Sequence, residues 1–430
     1  MAHEWARDLP TAPYIPGVYL VFVSMVLFVS TLRRSGSGTL LLPAPPNNVA
    51  LVVGVSVLAM ALMASVATSV VPMRSLPRVA ATILLATCGL FGATVAARHA
   101  LGRSRPPYVL RSVASVHVAI LALAFVAFAA FPDANTSGHG RLAPGMHPNI
   151  FGLFTLYAML WSGICLLRDG PGFWRGLHSI SLALAVAALL LTFSRGAIGA
   201  WVIGLTASGA ALGLYAFLSI AVGSTRFKTT LSRKGSRLLM IAIPVAAIVL
   251  VLVVHGVNWP DLQRTAIFRL QNLGNVSARL TAWDTLLPYF HSNPLFGSAG
   301  WWNSTRLLET AAESTYMASS PHNLYVRVLV ESGTFGLVGI LALPIFAVTH
   351  CMFVLMRTAR RFLALRIESS LLAGALVGLF AREFVEDSYL VSFGGLGTTV
   401  LVCTIGLALA QVSPPSRRAT RTSHAPDPTS

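Results

Sequence analysis

Apolar residues run through this chain in long unbroken blocks, with polar residues gathered between them. About eleven blocks read as spans: 16–32, 48–71, 79–97, 111–131, 148–167, 177–193, 196–222, 238–255, 333–356, 369–387 and 389–411. An α-helix needs roughly 18–20 apolar residues to cross a bilayer. The pattern therefore predicts an all-α polytopic membrane protein with about 11–12 transmembrane helices. A β-barrel would alternate apolar and polar positions, and is excluded. The sixth and seventh blocks form one apolar run of about 42 residues that contains a single charge, Arg195. That length suits two crossings joined by a tight turn at Ser194-Arg195-Gly196.

The polar stretches are few. Residues 256–332 form the only long one and predict a large loop of short helices on one face; 132–147 is a second, shorter loop on that face. Within the long loop Arg279, Leu280, Trp283, Leu286 and Leu287 stand at helical spacing, as in an amphipathic helix lying at the membrane edge. Residues 1–412 read as a single transmembrane domain. Residues 413–430, rich in Pro, Ser, Thr and Arg, read as a disordered tail. The N-terminus lacks the basic-then-apolar pattern of a cleaved signal peptide, so the first span is expected to serve for targeting.

Composition agrees: 55% of residues are hydrophobic, 10% charged, and the mean hydropathy is +0.72. The net charge of +17 is a membrane-topology signal rather than a nucleic-acid one, because the basic residues cluster in loops. Clusters at 226–237 and 357–366, with those near 33, 98–111, 168–175 and 417–421, can all share one side. On the positive-inside rule that side, including the C-terminus, is cytoplasmic, and the loops 132–147 and 256–332 face outward. Cys88, Cys165, Cys351 and Cys403 fall in four different apolar runs without metal-ligand spacing and read as small buried hydrophobes.

Candidate chemistry lies on the outward face. In Ser319-Ser320-Pro321-His322-Asn323, Ser320 is placed as an N-cap and Pro321 at the first helical position, putting His322 in a helix's first turn. Anions are favoured there, so a histidine at this mouth is a candidate general base. Arg195, a lone arginine between apolar runs, is a candidate anion-binding residue, and Arg279 a second. The run Asn293-Pro294-Leu295-Phe296-Gly297-Ser298-Ala299-Gly300 permits close backbone approach to a ligand. Trp301 and Trp302 after it are candidates to stack on sugar rings. Tyr325, and Arg141 and His147 in the shorter loop, complete the substrate-binding candidates; the Arg141–Gly152 spacing is one that chance readily supplies among 35 glycines. At the end of the tenth span, Arg382 with Glu386 forms an (i, i+4) pair. Glu383 or Asp387 is the alternative, orienting His322 or a catalytic arginine. No phosphate-binding Gly-x-x-x-x-Gly-Lys-Ser/Thr loop and no carboxylate cluster for Mg²⁺ or Mn²⁺ is present. Neither a metal nor a nucleotide cofactor is expected.

Thr192-Phe193-Ser194-Arg195-Gly196, then Arg279…Trp283…Pro294-Leu295-Phe296-Gly297, then Pro321-His322-Asn323…Glu331-Ser332-Gly333…Gly336 follow one another around one outer loop. In this order they resemble the bacterial O-antigen ligase and polymerase family of membrane glycosyltransferases, over roughly residues 140–400. The resemblance implies glycan transfer from undecaprenyl diphosphate to an acceptor hydroxyl at the periplasmic face of the inner membrane, without metal or nucleotide. For a ligase the acceptor is lipid A–core. His322 matches the family's catalytic histidine, and Arg195 and Arg279 match arginines that hold the diphosphate. A single dominant loop favours ligase over polymerase, and a non-enzymatic transporter of lipid-linked glycan is the reading from another class.

Overall fold

The computed structural model describes residues 45–101, 108–130, 136–137, 141–142, 148–169, 172–221, 276–312, 320–358, 362–384 and 396–411. The spans expected at 16–32 and 238–255, the basic cluster at 226–237, the first part of the long loop, His147, Glu386, Asp387 and the tail lie outside the described residues. The helices are α1 (Pro45–Thr68), α2 (Pro72–Leu101), α3 (Tyr108–Ala130), α4 (Pro148–Arg168), α5 (Phe173–Leu191) and α6 (Arg195–Ala221). After them come α7 (Val276–Ser292), α8 (Ser304–Ala312), α9 (Leu324–Arg357), α10 (Leu363–Arg382) and α11 (Leu396–Leu409). Two strands of two residues each, β1 (Thr136–Ser137) and β2 (Arg141–Leu142), form one antiparallel pair in the shorter loop. The protein is an all-α polytopic membrane protein. Among the described residues α4, α5, α6, α9 and α10 are each long and apolar enough to cross a membrane, and shorter apolar stretches lie at 52–68, 115–128 and 400–409.

Helices that have no water to exclude between them associate by close packing of small residues. α10 lies against α6 in this way: a Cβ at Gly374 or Gly378 would run into the Gly204 or Ala200 carbonyl oxygen. α1 and α9 approach at Gly339, which faces the Leu58 backbone. Large apolar side chains such as Leu123, Phe217, Val338 and Ile345 point outward instead, as a lipid-facing surface requires. One core lies among α1, α2, α4, α9, α10 and α11, and a second among α3, α4, α5 and the start of α6.

The two ends of the bundle differ. At one end, Arg111 donates to Asp169 at 2.7 Å, and His178 Nε2 pairs with the other oxygen of Asp169 at 2.9 Å. Arg168 clasps Glu368 at 2.8 and 3.0 Å. Both carboxylates are buried, and only such pairing makes a buried charge tolerable. Arg111, Arg168, Arg175, Arg357 and Arg366 share this end, and the motif residues gather at the other.

α9 is two helices. Gly333 (φ 67, ψ −167) breaks it into 324–332 and 334–357, so the apolar span begins where the sequence placed it. The break strands backbone groups that a helix would pair, and the 293–300 turn pairs them. Thr334 N–H donates to Pro294 O (2.9 Å), Phe335 N–H to Leu295 O (3.1 Å), and Ala299 N–H to Val330 O (3.0 Å). A Cβ at Gly333 would overlap the Leu295 carbonyl, and one at Gly297 the Val330–Ser332 backbone.

Candidate active site

Arg195 is held by its turn. Thr192 Oγ1 donates to Leu189 O at 2.7 Å and accepts from Ser194 N–H at 3.2 Å. Ser194 Oγ caps α6 by accepting from Ala197 N–H at 3.4 Å. The run of 177–222 does make two helices, with the turn at 192–194, two residues earlier than expected. Arg195 is the first helical residue and is exposed. Phe193 adopts φ 46, a left-handed conformation that costs an ordinary residue about 1–2 kcal/mol. Gly152 of α4 allows this turn to sit close: a Cβ there would be 3.1 Å from the Ser194 Cβ.

The 293–304 segment is anchored from both sides. Trp301 is fully buried, and its indole N–H donates to Thr82 Oγ1 at 2.9 Å. It therefore has no open face for a sugar, and the expectation that it binds substrate is corrected: it plugs the loop into α2. Arg78 donates to Trp302 O at 2.8 Å. Glu331, fully buried, accepts from Trp302 N–H (2.9 Å), Ser304 N–H (3.2 Å), Ser304 Oγ (2.5 Å) and Arg327 Nε (3.3 Å). Trp302 is partly exposed and held at φ 63.

His322 stands in a turn, not a helix. The N-cap is Asn323, whose Oδ1 accepts from Tyr325 N–H (2.9 Å) and Val326 N–H (3.1 Å), and α9 starts at Leu324. The expectation of Ser320 as cap and Pro321 at the first helical position is corrected; an asparagine directly before the first helical residue captures two N–H groups that Ser320 could not reach. Ser320 Oγ instead accepts from His322 N–H at 3.3 Å. His322 is part-exposed with φ 48. Among the described residues Phe193, Trp302 and His322 are the non-glycine positions with positive φ. Each belongs to a different motif at this end, and such strain persists where surrounding structure holds it.

Two elements grip the His322 turn. Trp283 of α7 donates its indole N–H to Pro321 O at 2.8 Å. Arg279 lies one turn before Trp283, on the same helix face, and is half-buried. α7 buries Ala282 and Leu286 against α8 and the first part of α9, while Leu280 is exposed. On the other side stands the end of α10. Its carbonyls, left over by the helix, are taken in trans: Glu383 O by Leu324 N–H (2.9 Å), Phe384 O by Asn323 Nδ2 (3.1 Å), Phe380 O by Tyr325 OH (2.7 Å). Tyr325 is thus engaged as a strut, its ring 4.3 Å from that of Phe384. Arg382 pairs with Glu383 at 2.8 Å, a neighbour-to-neighbour pair that the sequence reading did not make. Glu386 lies outside the described residues.

Arg195, Arg279 and His322 therefore belong to elements that converge on one end, where α4, α6 and the first part of α9 all begin. Helix N-termini and arginines together favour an anion, and His322 belongs to the same end. Arg141 is placed in β2, paired through Ser137. Sequence reading did not single out Arg78, nor the cap at Asn323. The Arg327–Glu331 pair was legible as an (i, i+4) spacing.

A family model described as O-Antigen ligase matches residues 180–341. The match supports the O-antigen ligase and polymerase family for this chain, and it encloses every motif on which the resemblance rests. No curated protein matches the chain.

Proposed function

We propose that this membrane protein, carrying an O-antigen ligase domain over 180–341, transfers a glycan from undecaprenyl diphosphate to a hydroxyl of lipid A–core. The observation that carries the reading is the grip on the His322 turn, between the Arg279-bearing helix and the end of α10, which packs on the helix that Arg195 opens. His322 accepts the acceptor hydroxyl's proton as its oxygen attacks the anomeric carbon. The bond from that carbon to the diphosphate oxygen breaks, and undecaprenyl diphosphate leaves with the electron pair. Its growing charge is met by Arg195 and Arg279, whose planar forks suit phosphate oxygens. Proton removal by a positioned base typically contributes 10²–10⁴-fold.

Trp302, partly exposed beside its buried neighbour, offers a sugar a stacking face; Arg141 and His147 of the shorter loop are assigned to substrate binding with it. Direct displacement inverts the anomeric centre. No metal or nucleotide takes part in this scheme. The site faces the periplasm from the inner membrane, with the basic end cytoplasmic.

The test is reconstitution of purified protein with undecaprenyl-diphosphate glycan and lipid A–core, without added metal or nucleotide. Glycan transferred onto lipid A–core is the expected product. Longer lipid-linked glycan with untouched lipid A–core would make the protein a polymerase. Folded protein that consumes no donor of any matched sugar would point to transport.

A further inference from the structure

The end of α10 carries a charged pair that the proposed chemistry does not use. Arg382 and Glu383 have no accessible side-chain surface and pair at 2.8 Å. Burying two charges is costly, and apolar packing in place of such a pair is often neutral or stabilising. Stability alone is a poor reason for this pair. Its further contacts supply a better one.

A second guanidinium nitrogen of Arg382 donates to Asn149 O, in the first turn of α4, at 3.2 Å. The main chain of Glu383 receives Leu324 N–H, that of Phe384 receives Asn323 Nδ2, and that of Phe380 receives Tyr325 OH. One guanidinium thus ties the end of α10 to the start of α4, at a point where α10 also holds the His322 turn. α10 is fused to α6 through Gly374 and Gly378. The two helices run antiparallel. Arg195 lies five residues before Ala200, about 7.5 Å along α6, and Arg382 four beyond Gly378, about 6 Å along α10. Both arginines therefore emerge at the same end of this pair.

We infer that the Arg382–Glu383 pair is a positioning device that sets where the His322 turn stands relative to Arg195. It acts through the Glu383 carbonyl on the Leu324 N–H, and through the next carbonyl, of Phe384, on the Asn323 side chain, and touches no reacting atom. Its catalytic consequence rests on the transferase reading; its mechanical consequence does not.

Arg382→Lys tests both. Lysine keeps a cation beside Glu383 but cannot span Glu383 and Asn149 with one rigid fork. Wild type and variant, in lipid nanodiscs, are compared by hydrogen–deuterium exchange and by steady-state transfer from undecaprenyl-diphosphate glycan to lipid A–core. Residues 320–326 should exchange faster in the variant while 340–355 stay unchanged. The kcat should fall about 10²-fold, the cost of a misplacement near 1 Å, with donor KM within about threefold. Wild-type exchange at 320–326 would overturn the device whatever the turnover. A rise in donor KM at unchanged kcat would also overturn it, by placing Arg382 on the donor. If the wild type itself transfers nothing, the transferase reading fails while the exchange result still decides the positioning claim. Should Arg382→Lys not fold, Glu383→Gln, which keeps shape and an acceptor oxygen, is judged by the same outcomes.

Discussion

The indole N–H of Trp283 and the carbonyl of Pro321 meet at 2.8 Å, joining the helix that carries Arg279 to the residue before His322. One hydrogen bond thus couples an anion-binding candidate to the candidate base across 38 residues of chain. Trp283→Phe keeps most of the ring and removes only the donor. A net hydrogen bond is worth about 1 kcal/mol, so turnover should fall roughly five- to tenfold with the fold intact. Equal turnover in the purified variant would mean the bond does not position the turn.

The left-handed backbone of His322 makes a separate prediction. Glycine adopts φ 48 freely, whereas alanine bears a cost of about 1–2 kcal/mol. Both His322→Gly and His322→Ala should lose transfer, yet the glycine variant should be about 1 kcal/mol the more stable in thermal unfolding. An alanine variant as stable as the glycine one would show that the turn relaxes out of this conformation.

Glu331 accepts four hydrogen bonds in a fully buried position. Glu331→Gln leaves the Arg327 guanidinium buried without its counter-ion and turns one acceptor oxygen into a donor facing other donors. Breaking one side of a buried pair costs about 3–5 kcal/mol. A large drop in melting temperature is expected, and protease cleavage should appear first between 293 and 312. A variant melting with the wild type would remove Glu331 as the anchor of that loop.

Gly333→Ala should be among the most damaging small substitutions. Its Cβ would overlap the Leu295 carbonyl and its φ is 67, so both space and backbone oppose it. Gly163→Ala, where a Cβ meets nothing within 4 Å, is the control and should be neutral or slightly stabilising. Similar yields and melting temperatures for the two would contradict the docking of the 293–300 turn at the break.

Much of this was legible in the chain because membranes make sequence speak plainly. Continuous apolar blocks marked the spans, and Arg195 marked the division of a double-length run. The caps were harder to read. Ser320 and Asn323 are both good capping residues, and only tertiary contact, here the α10 carbonyls facing Asn323 and Leu324, decides between them. Trp301 and Trp302 look alike in sequence, but one is buried under a bond to Thr82 and the other is partly open. Arg382 pairs with its neighbour Glu383 through side chains that helical spacing alone would not bring together.

The central claim is that His322 takes the acceptor's proton. The most direct measurement is single-turnover transfer by His322→Ala, reconstituted with saturating undecaprenyl-diphosphate glycan and lipid A–core, beside an independent measurement of donor binding. Donor should bind as in the wild type while the transfer rate falls about 10²–10⁴-fold. Transfer at the wild-type rate, from protein that binds donor normally, would contradict the account.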